Sequence, residues 1–221
     1  MIKLIIFDCD GVLVNDFDEK KYNYHIKKFF KKHGLPLSLI KKQNEIWNNV
    51  KHKALKGKLT QRQANEMWIK ELGLPVKLVK EFMDLDMNYW GKTVRANPQV
   101  KETLKKLKKN GYKLAVLSNE VRQSHLKKKI LSFVGLDGYL DAVYASHSIG
   151  YVKPEKQAYL HIVKRFKTKP KYSMFVGHGD QEIGGAKRAG LKVVCFRKKK
   201  HPLADFHIKK FSEILRILKK D

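Results

Sequence analysis

The chain has 221 residues, 43% of them apolar, and carries 48 Lys and Arg against 21 Asp and Glu, a formal charge of +27. That length suits a single domain, or a compact core with a smaller inserted domain. The apolar share builds a core without disulfides.

The two cysteines, Cys9 and Cys195, lie inside apolar runs and read as buried structural thiols of a reducing compartment. Residues 1–7 are apolar but meet Asp8 and Asp10 too early for a secretory leader. No stretch approaches the roughly 20 apolar residues of a membrane span, so the expectation is a soluble, cytoplasmic protein with no membrane partner. The positive charge concentrates anions near the surface and permits nonspecific nucleic-acid association. Its lysines are nonetheless spread along the chain. Lys101, Lys105, Lys108 and Lys109 surround the stripe Val100, Leu104, Leu107, the pattern of a solvated helix face. Lys198-Lys199-Lys200 is the densest run near the end of a predicted strand and a candidate contact for a polyanion.

In chain order, residues 2–7 form a short apolar run rich in β-branched residues that stops at Asp8, the signature of a buried parallel strand. Residues 16–93 then read as helix after helix. Gly34 and Pro36 separate the first two, Gly57 closes the second, Thr60 with Gln63 opens the third as a capping box, and Gly73 and Pro75 precede the fourth. Tyr22, Phe29, Phe30, Trp47, Trp68 and Trp90 are expected to fill this segment's core or face the main domain. From Asn97 strands and helices alternate. Strands are predicted at 113–117, 142–145 (weaker), 173–176 and 192–196. Helices are predicted at 99–110, 121–133, 154–166 and 183–189, with a last one carrying Phe211, Ile214, Leu215 and Leu218. Alternation of this kind argues for an α/β fold with a parallel sheet covered on both sides.

Ligands of open parallel sheets bind beyond the carboxyl ends of the strands. The first strand ends in Asp8-Cys9-Asp10-Gly11, and two carboxylates leaving a strand into a glycine turn can converge on one point. One can attack phosphorus and form an aspartyl phosphate; the other can protonate the leaving group and activate water. Taken alone, Asp-x-Asp-Gly is equally ordinary turn chemistry. The second strand ends in Ser118-Asn119, whose hydroxyl and amide can hydrogen-bond a phosphoryl oxygen. Lys153 directly precedes Pro154 at a predicted helix start, where charge and helix dipole both favour an anion. After the strand 173–176 comes Gly177-His178-Gly179-Asp180-Gln181-Glu182, in which Asp180 and Glu182 offer carboxylate oxygens to a hard cation such as Mg²⁺.

These four strand ends, in this order, resemble the four motifs of the haloacid dehalogenase superfamily, in its phosphatase and β-phosphoglucomutase branch. The resemblance covers roughly residues 1–17 and 97–200 and includes Asn97-Pro98 and Tyr151-Val152-Lys153-Pro154-Glu155. It implies a Rossmann-like α/β core of residues 1–15 and 94–221, with an all-helical cap, 16–93, inserted after the first strand. It implies Asp8 as nucleophile, Asp10 as general acid/base, and Ser118, Asn119 and Lys153 around the phosphoryl group. Mg²⁺ would be held by Asp8, the Asp10 carbonyl and an acid of the fourth motif. Asp10 speaks against dehalogenase activity, because dehalogenases lack that second carboxyl group. The fourth motif departs from the family's Gly-Asp-Ser-x-x-Asp, since His178 stands where the principal metal-binding Asp belongs. Glu182, ahead of Asp180, is expected to replace it; the alternatives are His178 itself as ligand to a softer ion such as Mn²⁺, or low metal affinity with a weak or inactive enzyme. The leading expectation is a phosphatase of a small phosphorylated metabolite. The alternatives are a phosphosugar mutase, separated by a need for a bisphosphate activator, and a non-catalytic protein binding nucleic acid or another polyanion.

Overall fold

The computed structural model describes residues 1–196 and 201–219; the lysine run 198–200 therefore lies outside the described residues. Strand β1 (Leu4–Phe7) is followed by four helices, α1 (Glu19–Lys32), α2 (Leu39–Leu55), α3 (Gln61–Glu71) and α4 (Val79–Thr93). Then come α5 (Val100–Lys109), β2 (Lys113–Ser118), α6 (Ser124–Ser132), β3 (Ala142–Ala145) and the short α7 (Ser146–Ile149). The chain ends through α8 (Lys156–Arg165), β4 (Ser173–Gly177), α9 (Asp180–Arg188), β5 (Lys192–Phe196), β6 (Phe206–Ile208) and α10 (Ile214–Leu218).

The six strands form one parallel sheet in the order β3-β2-β1-β4-β5-β6. Alternate residues of each central strand feed opposite layers. Ile5, Phe7, Leu114, Val116 and Val176 pack with Leu104 and Leu107 of α5, Ile130 of α6 and Phe211. Leu4, Ile6, Ala115, Leu117 and Phe175 pack with Tyr159 and Ile162 of α8 and Ile183 of α9. Burial on both faces explains why these strands read as unbroken apolar runs rather than alternating ones. From β1 the chain winds outward through β2 and β3, then returns to β4 on the other flank of β1. That reversal opens a crevice at the carboxyl end of β1, where Asp8 lies.

The four helices of 19–93 form a cap with its own core of Ile26, Phe29, Phe30, Trp68 and Phe82. Trp90 and Tyr89, at the end of α4, pack instead with the sheet layer. Thr60 caps α3 as its sequence indicates: Gln63 N–H donates to Thr60 Oγ1 at 3.1 Å and Thr60 N–H to Gln63 Oε1 at 2.9 Å. The two chain crossings between cap and sheet are tied together. Val14 bridges Ala96, Arg95 N–H donates to Asn15 Oδ1 (2.6 Å), and Asn97 Nδ2 donates to the carbonyls of Val12 and Val14 (3.0 and 2.9 Å).

Three helix starts differ from the sequence reading. α6 begins at Ser124 rather than 121, because Glu120 and Arg122 are drawn into buried ion pairs. α8 begins at Lys156 rather than Pro154, because Glu155 N–H closes a turn onto the Val152 carbonyl at 2.8 Å. α9 begins earlier than 183, at Asp180, with Glu182 Oε2 accepting from Gly179 N–H at 3.3 Å. Strand β6 has no counterpart in the sequence reading. Both cysteines are buried thiols, and burial pushes the Cys9 thiol up. Among the described residues no helix is long and apolar enough to cross a membrane.

Candidate active site

Asp8 follows the last residue of β1 and is almost fully buried; its N–H donates to the Val176 carbonyl at 2.9 Å. The chain then turns through Gly11 at φ +79°, where a Cβ would sit 2.7 Å from His178 Cε1, so glycine lets the imidazole close over this turn. Lys153 Nζ reaches Asp8 Oδ1 at 2.5 Å and Glu182 Oε1 at 2.6 Å. Burial alone would raise the Asp8 carboxyl. The Lys153 ammonium, His178 and the Cys9 amide outweigh it and hold Asp8 below its ordinary value. Burial would lower Lys153 in turn, but Asp8 and Glu182 push it up.

Lys153 is held from behind. Asn119 Oδ1 accepts from Lys153 N–H at 2.8 Å, and Asn119 Nδ2 donates to the Lys153 carbonyl at 2.9 Å. Both polar atoms of that amide thus engage the lysine backbone. α9 comes close beneath this turn, because Gly185 leaves room for Pro154, whose Cα would lie 2.9 Å from a Cβ. Ser118, buried at the end of β2, sits on the strand adjoining β1.

Asp10 projects from the turn into a cavity of about 510 Å³ beneath the cap. Both its oxygens accept from Lys127 Nζ, at 3.0 and 2.9 Å. Burial raises the Asp10 carboxyl and Lys127 only partly offsets this. Lys127 is itself 0% exposed; it also meets Glu120 at 3.4 Å, and Glu120 pairs with Arg122 Nη1 at 2.7 Å. Arg122 continues to Asp86 of α4, which accepts from Tyr22 Oη of α1 at 3.2 Å. A buried chain of charges therefore runs from Asp10 into the cap. The sequence reading named its two ends, Asp10 and Tyr22, and missed Lys127, Glu120, Arg122 and Asp86 between them. The signal was phase: Lys127 shares the apolar stripe of Ile130 and Leu131, and Asp86 that of Phe82, Tyr89 and Trp90. A charge in a core register is a charge that must find a partner.

The fourth motif divides. His178, after β4, places Nδ1 3.4 Å from Asp8 Oδ2 and Nε2 3.6 Å from Asp16 Oδ1. Nδ1 is buried and makes no hydrogen bond within the usual distance and angle to a described residue. The Asp8 carboxylate raises the His178 imidazole, with Glu182 and Asp16 adding to the effect against burial. Asp8, His178 and Glu182 each bring a ligand atom within 4.8 Å of the others. Asp180 does not join them; its side chain is 72% exposed, 3.9 Å from His201. Two ligands of one octahedral ion at about 2.1 Å stand about 3 Å apart when adjacent, close to the Asp8–His178 separation. A buried imidazole nitrogen 3.4 Å from a carboxylate oxygen fits a shared divalent cation, and the nitrogen favours a transition ion such as Mn²⁺ over Mg²⁺. Of the cap lysines, Lys20, Lys21, Lys27 and Lys28 are exposed and do not line the cavity; Lys51 does.

A parallel sheet with two carboxyl groups just past β1 and a helical cap inserted after that strand is the arrangement expected of a haloacid dehalogenase-like hydrolase. The family model for haloacid dehalogenase-like hydrolases matches residues 2–190, and the chain belongs to that family. It is 27% identical to phosphoglycolate phosphatase of Aquifex aeolicus over 98% of this chain and 97% of that protein. It is 26% identical to glyceraldehyde 3-phosphate phosphatase of Pyrococcus furiosus over 96% and 88%. Among solved structures, 2-haloacid dehalogenase of Pseudomonas syringae pv. Tomato superposes with a TM-score of 0.80 at 19% identity, covering 100% and 99% of the two chains. At that identity the likeness concerns the fold alone.

Proposed function

We propose that this hydrolase is a metal-dependent phosphatase acting through an aspartyl phosphate on Asp8. The observation that carries the proposal is a pair of carboxyl groups two residues apart with opposite environments. Asp8 is held ionised by Lys153, and Asp10 is raised by burial. Environments that push two such groups apart assign the base and the acid. The phosphatase relatives support the same reading. Asp10 supports it against dehalogenation, in which a halide leaves without a proton.

In this account residues 1–15 and 94–221 supply the chemistry, and residues 16–93 close over it. An Asp8 carboxylate oxygen attacks phosphorus, and the bond from phosphorus to the leaving-group oxygen breaks. Asp10 gives its proton to that oxygen, releasing the alcohol. Asp10, now a carboxylate, takes a proton from water. The water oxygen bonds to phosphorus, the Asp8–phosphorus bond breaks, and phosphate leaves with Asp8 restored. Lys153 offsets charge on Asp8 and the phosphoryl oxygens, and Ser118 donates to one of them. Asn119 fixes the Lys153 backbone. Asp8, the Asp10 carbonyl and His178 would hold the metal, with Glu182 alongside. When bound, Mg²⁺ or Mn²⁺ supplies positive charge to the phosphoryl oxygens. Lys127 holds Asp10 toward the cavity.

Acid quenching during turnover of a labelled phosphate ester tests this directly. The expected result is a hydroxylamine-labile phosphate on the peptide containing Asp8. Turnover with no label on that peptide would refute the covalent route.

A further inference from the structure

The cavity beneath the cap carries a lining that phosphoryl transfer does not use. α2 turns Gln43, Asn44 and Asn48 toward it, and α3 adds Gln61 and Asn65. These are positions at which a cap helix could have packed apolar side chains. Gln61 and Asn65 are 8% and 2% exposed, and neither side chain makes a hydrogen bond to a described residue. Asn23 Oδ1 and Trp90 Nε1, also on the wall, are buried with no hydrogen-bond partner among the described residues. Gln43 Nε2 donates to Asn44 Oδ1; the other buried polar groups here would normally be satisfied, so the wall is built for a guest that supplies their missing bonds.

The charges say what kind of guest. Asp10, Glu19, Asp86 and Glu120 line the wall against Lys51 and Arg122. Arg122 is consumed by Asp86 and Glu120. Asp10 and Glu120 are in turn paired with Lys127, so these charges are largely spent on one another, and among the described lining residues Lys51 is the base without an acidic partner. The wall therefore offers no cluster of free bases to a second anionic group on the substrate. Amides present a donor and an acceptor side by side, the complement of hydroxyl groups and of heterocycle edges. Trp47 and Phe17 offer ring faces beside them. At about 510 Å³ the cavity falls in the range of sites that hold ligands of drug-like size, about 300–1,000 Å³.

We infer that the phosphate ester is that of a neutral, hydrogen-bonding alcohol of sugar or nucleoside size, not a small substrate with a second anionic group such as phosphoglycolate or pyrophosphate. This rests on the phosphatase reading and names the substrate class for it. The full chain, supplied with Mn²⁺ or Mg²⁺, is assayed on a hexose monophosphate, a nucleoside 5′-monophosphate, phosphoglycolate and pyrophosphate. p-Nitrophenyl phosphate serves as the reference ester. One of the first two should exceed phosphoglycolate and pyrophosphate in kcat/KM by at least about tenfold, and which one distinguishes sugar from nucleoside. Asn65→Leu should erase most of that advantage. Asn48→Leu, on an exposed stretch of the same wall, should narrow it without threatening the fold. Phosphoglycolate or pyrophosphate as the best substrate would overturn the inference, as would an advantage that survives both substitutions. Failure of the phosphatase reading shows separately, as no hydrolysis of any ester, the reference included. Binding of the free nucleoside or sugar to the Asp8→Asn chain, read by tryptophan fluorescence, then decides the matter. Saturable quenching that Asn65→Leu abolishes supports the inference, and no quenching overturns it.

Discussion

Lys127 stands on the apolar stripe of α6 and spends its charge on Asp10 and Glu120. In the proposed mechanism Asp10 must be protonated to serve the leaving group, so kcat falls as pH rises through its pKa. Lys127 lowers that pKa against the upward push of burial. Without the ammonium the carboxyl rises further, and the alkaline limb of kcat moves to higher pH. Lys127→Met should show this shift in a pH–rate profile. It should also cost about 3–5 kcal/mol in urea unfolding, because two carboxylates lose a buried partner. An unmoved alkaline limb would mean that Lys127 is structural only. Such residues resist sequence reading for one reason: in a chain with 48 basic side chains, a lysine is read as solvent-facing unless its helical phase is checked. His178 and Asn119 were both visible as candidates. What sequence leaves open is the direction each side chain faces, inward toward Asp8 for His178 and toward the Lys153 backbone for Asn119.

At the scale of elements, the strands most legible are the ones buried on both faces, β1, β2, β4 and β5, while β3, half-buried at alternate positions, gave the weaker signal. β6 was not legible. Its three residues, Phe206–Ile208, follow a stretch of His, Pro, Ala and Asp, and it takes its place by pairing with β5 rather than by any pattern of its own. The cap helices were legible from their glycine and proline punctuation and the Thr60 cap. A polar clamp fixes β3 to β2. Asp141, just before β3, accepts from Leu114 N–H at 2.8 Å and from Lys108 Nζ at 2.8 Å. Burial alone would raise the Asp141 carboxyl, but the Lys108 ammonium and the Leu114 amide outweigh it and hold it low. A depressed folded pKa contributes stability that is present above the unfolded value of about 3.9 and fades as pH falls through the folded one. Asp141→Asn should therefore destabilise the protein at pH 7 and flatten its loss of stability below about pH 4, measured by urea unfolding across pH. Parallel pH profiles for the two proteins would contradict the clamp.

Over the whole molecule, the charge of +27 is carried by side chains that mostly flank apolar stripes, as on α5. We propose that this field assists capture of the phosphoryl dianion. If so, kcat/KM should fall as ionic strength rises while kcat stays level; a kcat/KM indifferent to salt would leave the lysines as solvated surface. The account as a whole depends on Asp8 as nucleophile beside a cation held in part by His178. The most direct test is hydrolysis of p-nitrophenyl phosphate with Mg²⁺, Mn²⁺ or EDTA, for the natural chain and for Asp8→Asn. The account predicts metal-dependent turnover, faster with Mn²⁺ than with Mg²⁺, that falls by about a thousandfold or more in Asp8→Asn. Turnover that survives the substitution, or that proceeds equally in EDTA, would contradict it.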